Sequence, residues 1–352
     1  MSDMIEETAG RLFAAHAEAS FTAHPAKAAD GAASWTHDLW REIEGLGFPL
    51  ALAAEADGGF GLPPLDALAL PRIAAAHGAP VPLGETMIAN WLLSLAGLPP
   101  AEGPATLVAG LKVTNGWLSG AARRAPYGRR AATFVALAEG PAGAPLLTRA
   151  VEARVASEGI NLAGEPRNDL VFDTEAETAP APIDAGTLFA LGAALRAQQL
   201  AGAMEAALEM TVAYAQERKQ FGRPIGKFQA IQQNLAVMAA QTAAARAAAD
   251  MGAEALPRAL SAPEDFAMIA GAAKLRASEA AGLVAATAHQ THGAIGFTQE
   301  YRLHLLTRRL WSWRDEYGAE GAWAERIGAR VAAVGAEAFW PGLTALDQED
   351  AA

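Results

Sequence analysis

Cysteine is absent from all 352 residues. That excludes disulfides, thiolate zinc sites and a cysteine nucleophile, and it fits a reducing compartment. Positive charge is in short supply too. A formal net charge of -12 argues against a surface that grips nucleic-acid phosphates regardless of sequence. Long apolar runs are missing as well, since LDALALPRIAAAHGAP is broken by Arg, His and Pro well short of a membrane span. The opening MSDMIEETAGRLFAAHAEAS starts acidic and has no basic segment ahead of an apolar one, so no secretory signal is expected. These absences lead to the expectation of a cytoplasmic protein with no nucleic-acid and no membrane partner. What is present is apolar material, at 52% of residue types, which suffices for a large core and more than one domain.

The chain changes texture twice. Residues 1–98 read as helical, with Leu39, Ile43, Leu46 and Leu50 at close to three- and four-residue spacing. Gly58 and Gly59 interrupt this segment, and Gly97 with two prolines closes it. Residues 99–182 hold short β-rich runs, ATLVAG, ATFVALAEG and DLVFDTE, separated by turn residues. That length accommodates only a compact barrel-like unit. From 183 to 345 the pattern is helical again. Leu200, Met204, Leu208 and Val212 mark one helix, and Phe228, Ile231, Leu235 and Met238 a second. Ser261 and Glu264 have capping-box spacing ahead of a third, and a fourth covers Glu320 to about Trp340. The expected fold is mainly α with a small β-domain: an N-terminal helical domain, a short β-barrel-like middle domain and a C-terminal four-helix bundle. Residues 346–352 read as a disordered tail.

Two stretches carry chemistry. AYAQERKQFGRPIGKFQAIQQNLA spans residues 213–236, and HQTHGAIGFTQEYRLHLLTRR spans residues 289–309. Arg218 falls in a turn between helices, where a guanidinium can meet a pyrophosphate in bidentate fashion. Phe221 offers an apolar plate for a ring. Gly293 and Gly296 admit close backbone approach to a bulky ligand, with peptide N–H groups for its phosphates. Each residue also has a plainer reading, as a solvated turn, a helix stop or core. His289 and His292 are three apart but lack a third ligand, so no metal site is expected. Arg123, Arg124, Arg129 and Arg130 read equally well as an anion-attracting run and as a solvated loop.

Together, in this order and this architecture, the two stretches resemble the acyl-CoA dehydrogenases, flavoenzymes that oxidise an acyl-CoA thioester between its α and β carbons. The resemblance runs over nearly the whole chain. It implies FAD, an acyl-CoA substrate, an electron-transferring flavoprotein as acceptor, and a homo- or hetero-oligomer. It also implies that Arg218, Phe221 and Gln229 contact the FAD of a neighbouring subunit, with Gln290, Gly293 and Gly296 lying along the adenine dinucleotide.

The pattern departs from the family at two places. No Thr-Glu-Pro-like loop followed by Gly-Ser-Asp lies between Pro99 and Asp184, although the flavin ring is commonly held there. The usual base glutamate falls on Tyr317, in SWRDEYG, and the position used by a minority falls near Gly192. Glu316, one step early, is the expected catalytic base if the backbone shifts locally. Asp315 is a less favoured base. One alternative is a chain without its own base that completes a partner chain's flavin site, and another is that Asp315 and Glu316 merely cap or charge the start of the last helix.

Overall fold

A computed structural model describes residues 2–22 and 37–345. The expected tail at 346–352 lies outside the described residues. Four helices come first: α1 (Ser2–Thr22), α2 (His37–Gly45), α3 (Pro64–Ala76) and α4 (Leu83–Leu95). Leu39, Trp40 and Ile43 of α2 turn one face inward, and α4 buries nearly its whole length. Both join a core that reaches into the third segment through Leu188, Leu191 and Leu195.

Seven strands follow: β1 (Ala105–Thr114), β2 (Trp117–Pro126), β3 (Thr133–Glu139), β4 (Pro145–Ala150), β5 (Arg154–Ser157), β6 (Arg167–Glu175) and β7 (Glu177–Pro180). They form one mixed sheet in the order β5-β6-β2-β1-β3-β4-β7, with β1 and β3 parallel and the other pairs antiparallel. β1 and β2 are joined through Asn115-Gly116, both at positive φ, the residue pair that a tight hairpin favours. In β2 the register to β6 slips between Ala122 and Ala125. This bulge sets Arg123 and Arg124 out of the regular alternation, with Arg124 at φ 54.

The third segment is built on α5 (Ala185–Glu217), whose N-terminus is capped by the Asp184 carboxylate accepting from Thr187 N–H at 2.7 Å. A small hairpin, β8 (Lys219–Gln220) and β9 (Arg223–Pro224), leads into α6 (Gln229–Glu254). Then come α7 (Arg258–Ser261), α8 (Pro263–His292), α9 (Leu303–Trp313), α10 (Glu320–Val334) and α11 (Ala336–Ala345). α5, α6 and α8 meet through small side chains, among them Ala197, Ala201, Ala245, Ala249, Ala277 and Ala281. Close helix approach of this kind is what alanine-rich faces allow.

Three expectations need correction. Ser261 does not cap α8, because Pro263 starts that helix and Ala262 stands at its N-cap, leaving Ser261 at the end of α7. The expected helix from Glu320 to Trp340 is two, broken at Gly335 with φ 84. Between the third and fourth expected helices stands α9, which packs on both α5 and α8. Its burial of Leu303, Leu306 and Leu310 makes it a full member of the bundle.

Candidate functional site

A cavity of about 690 Å³ opens where α4, the sheet, α5 and the end of α9 meet. Its apolar walls include Ile88, Leu107, Val108, Leu188, Phe189 and Leu195. Arg123 and Arg124, displaced by the β2 bulge, line it together with Asn161 and Arg167. The floor is the turn after α9, carrying Asp315, Glu316 and Tyr317.

Glu316 is held from several sides. Arg167 Nε donates to its Oε1 at 2.8 Å and Arg167 Nη2 to its Oε2 at 2.9 Å, a bidentate pair. Arg196 Nε donates to Oε2 at 2.8 Å, and Asn161 Nδ2 to Oε1 at 3.1 Å. Arg196 in turn donates through Nη2 to Glu85 Oε1 at 2.9 Å. On the other side, Arg167 Nη2 reaches Glu165 Oε2 at 3.1 Å, and Arg309 Nε reaches Glu165 Oε1 at 3.1 Å. Trp313 Nε1 and Asn161 Nδ2 also donate to Glu165 Oε2, each at 2.9 Å. Three carboxylates and three guanidiniums thus form one buried, charge-balanced hub. It ties α4, the 161–167 stretch, α5 and α9 together.

The hub sets the acidity of its members. Burial alone would raise the Glu316 pKa, but Arg167 and Arg196, with the hydrogen bonds from Arg167 and Asn161, bring it far below the ordinary carboxylate range. Glu165 is also lowered, by Arg167 and Arg309 against burial. Glu316 is therefore favoured as its anion, with its lone pairs already engaged. That is the opposite of the raised pKa that suits a carboxylate base. The geometry argues against the expected role of Glu316, for the physical reason that two guanidiniums stabilise its anion.

Next to it, Tyr317 adopts φ 54 and lays its ring on Gly192 of α5. A Cβ at Gly192 would stand 2.2 Å from Tyr317 Cδ1, so the contact requires glycine. Arg196 lies 5.5 Å from the centroid of the same ring, and Phe189 meets it edge-on at 5.9 Å. Burial pushes the Tyr317 hydroxyl up to about 12, with Arg196 opposing.

The cofactor candidates gather elsewhere. Arg218 caps the end of α5, Phe221 stands at the hairpin tip with φ 50 and 93% of its surface exposed, and Gln229 begins α6. Gln290 lies in the last turn of α8 and is exposed, and Gly293 follows the helix at φ 65 with open space around it, while Gly296 is buried. A stack of Tyr214 on His292, 4.5 Å between centroids, joins the end of α5 to the end of α8. All six therefore sit at one end of the bundle. The 22 residues of α5 from Arg196 to Glu217, at about 1.5 Å each, separate them from Glu316 by roughly 30 Å.

His289 and His292 each have a hydrogen-bond partner at Nε2. His289 Nε2 pairs with Thr307 Oγ1 at 2.8 Å, His292 Nε2 with Tyr301 Oη at 3.2 Å, and burial lowers both pKa values. No group of three metal-ligating side chains occurs among the described residues. Of the arginine run, Arg123 and Arg124 reach the cavity, while Arg129 pairs with Glu158 at 3.1 Å. No helix among the described residues is long and apolar enough to cross a membrane.

Comparison with known proteins places this geometry. Residues 184–331 match the family described as "Acyl-CoA dehydrogenase, C-terminal domain". Acyl-CoA dehydrogenase IpdE2 of Mycobacterium tuberculosis is 32% identical over 307 residues, 87% of this chain and 89% of that protein. The chain belongs to the acyl-CoA dehydrogenase family. Among solved structures, the Tcur3481–Tcur3483 steroid ACAD superposes with TM-score 0.75 at 25% identity, covering 93% of this chain and 96% of its own. The ChsE4–ChsE5 complex of Mycobacterium tuberculosis shares the fold, with TM-score 0.78 at 23% identity over 94% of this chain and 98% of that one. In this acyl-CoA dehydrogenase chain, Tyr317 is the position where the sequence pattern leads one to expect the base, and Gly192 lies near the second such position. They touch each other, and neither is a carboxylate.

The hub residues Arg167, Arg196, Glu165 and Glu85 were not singled out from the sequence. A signal existed for one of them. Arg196 is a lone charge within FALGAALRAQQLAGAM, and an arginine in so apolar a helix needs a buried partner.

Proposed function

We propose that this chain is one component of an FAD-dependent acyl-CoA dehydrogenase that oxidises an acyl-CoA thioester between its α and β carbons. In this reading it completes the flavin site of a neighbouring chain and leaves α-proton abstraction to that chain. The observation that carries it is the state of the floor of its own cavity. Glu316 is engaged by Arg167, Arg196 and Asn161, and Tyr317 fills the space over Gly192 where a base would stand. The name of one solved relative, the Tcur3481–Tcur3483 steroid ACAD, joins two components, which supports a paired assembly.

The residues at the far end of the bundle fit the adenine dinucleotide part of FAD. Arg218 is exposed, and a guanidinium there suits the pyrophosphate. Phe221 projects into solvent with nothing of its own chain over most of its surface, as a plate for a ring would. Gln229 and Gln290 offer side-chain amides on exposed faces, and the open backbone at Gly293 offers peptide N–H groups. When bound, FAD supplies the acceptor for the hydride leaving the β carbon, with an electron-transferring flavoprotein as onward acceptor. The part of this chain is to hold the dinucleotide across the interface.

The visible spectrum tests this. Purified alone, the protein is expected to be colourless. Co-expressed with an acyl-CoA dehydrogenase-like chain that carries glutamate at either base position, it should co-purify with flavin absorbance that acyl-CoA bleaches without oxygen. A yellow protein obtained from this chain alone, and bleached by acyl-CoA, overturns the proposal and returns Glu316 to candidacy.

A further inference from the structure

A buried lysine stands behind the cavity floor. Lys274, on α8, is 0% exposed, and its Nζ has three partners. It donates to the carbonyl oxygen of Arg314 at 2.7 Å and to that of Gly318 at 2.9 Å, and it lies 2.9 Å from Ser278 Oγ one turn along its own helix. The two carbonyls bracket Asp315, Glu316 and Tyr317. Within the bracket the backbone turns left-handed twice, at Tyr317 with φ 54 and Gly318 with φ 94. The carbonyl between them, that of Tyr317, accepts from Trp323 Nε1 at 2.8 Å. Carbonyls at the end of a helix lack intrahelical partners, and here α8 and α10 supply the donors from outside.

We infer that Lys274 is a positioning residue for the cavity. By gripping both ends of the 314–318 turn it directs Glu316 into the Arg167–Arg196 clamp and Tyr317 onto Gly192. None of its three hydrogen bonds goes to either side chain, so its influence passes through the backbone it holds. The chemistry of the site suits the task. Burial pushes the Lys274 pKa down to about 7, yet its hydrogen bonds survive loss of the proton. A neutral amine still donates two hydrogens, one to each carbonyl, and accepts a third from the Ser278 hydroxyl. The grip therefore does not depend on the charge. This holds whether or not the chain abstracts a proton, so it stands apart from the proposed function.

The turn's geometry can be read at a distance from Lys274, in the titration of Glu316. Carboxyl carbon NMR of the full-length protein, with Glu316 assigned by its own substitution, should show a midpoint far below that of ordinary glutamates. In Lys274→Met the donors are gone, and the midpoint is expected to rise by about two pH units as the carboxylate leaves its clamp. Lys274→Gln carries no charge either but keeps two N–H donors, and it should restore at least half of that shift. Equal shifts in the two variants would mean that only the charge matters, and an unmoved midpoint in folded Lys274→Met would reduce the lysine to a packing role. Either result overturns the inference. Should Lys274→Met not fold, Ser278→Ala carries the test. A smaller upward shift is expected there, and no shift overturns the assignment.

Discussion

Glu316 concentrates the chemistry of this chain in one residue. Its side chain is 12% exposed and shares its oxygens between Arg167 and Arg196. Replacing it by glutamine leaves two buried guanidiniums short of an anion, and breaking such a pair costs about 3–5 kcal/mol. Urea unfolding of Glu316→Gln should show that loss. The sign of the pH dependence follows from the direction of the shift. A carboxyl whose folded pKa lies below its unfolded value adds stability above the unfolded pKa, near 4.3, and that stability fades as pH falls through the folded value. The wild-type protein should thus lose stability progressively below about pH 4.5. Melting curves for Glu316→Gln should flatten over that range, with Glu165 accounting for what slope remains. None of this was legible at residue level beforehand. The position of Glu316 in SWRDEYG was plain, but the groups that neutralise its basicity come from Arg167 and Arg196, distant in sequence, and only the fold brings them together.

Among the elements, α5 has two tasks. Its first half presents Gly192 and Arg196 to the cavity, and its far end presents Tyr214 and Arg218 to the proposed dinucleotide site. The contact between α5 and the 314–318 turn is steric and therefore testable. Gly192→Ala places a methyl within 2.2 Å of the Tyr317 ring, and overpacking of this kind costs about 1–3 kcal/mol. Thermal unfolding should show the loss, and a second change, Tyr317→Ala, should relieve most of it in a double-mutant cycle. Additive costs would show that the ring and the glycine are not coupled. The long elements were legible because apolar residues recur along them at helical spacing, as from Leu200 to Val212. α9 escaped because it is short, eleven residues between the glycine-containing turn and the SWRDEYG turn. The hairpin at Asn115-Gly116 did carry a turn signal that could have been used.

For the whole molecule, the proposed division of labour predicts that stability and flavin retention separate. Phe221 is 93% exposed, so Phe221→Ala should leave the melting temperature of this chain unchanged. In the two-chain assembly the same change should weaken FAD retention by about tenfold, the order expected for a lost aromatic contact. Equilibrium dialysis of the flavin against both assemblies checks it, and equal retention counts against Phe221 as a cofactor contact. The architecture was readable before the site, because helices, strands and helices again leave distinct periodicities over long stretches. The site depends on contacts between segments that have no common pattern.

The charge-balanced hub has a consequence for how this sequence can vary. With three acids and three arginines sharing their bonds, losing any one leaves an odd charge at a largely buried site. Substitutions that persist at these six positions are therefore expected to come as compensated pairs, an acid departing with an arginine. An acid introduced at position 317 would bring in one more than the three arginines balance. Placing an acid there is thus costly unless a further positive charge comes with it, and the floor of this cavity resists single changes of charge.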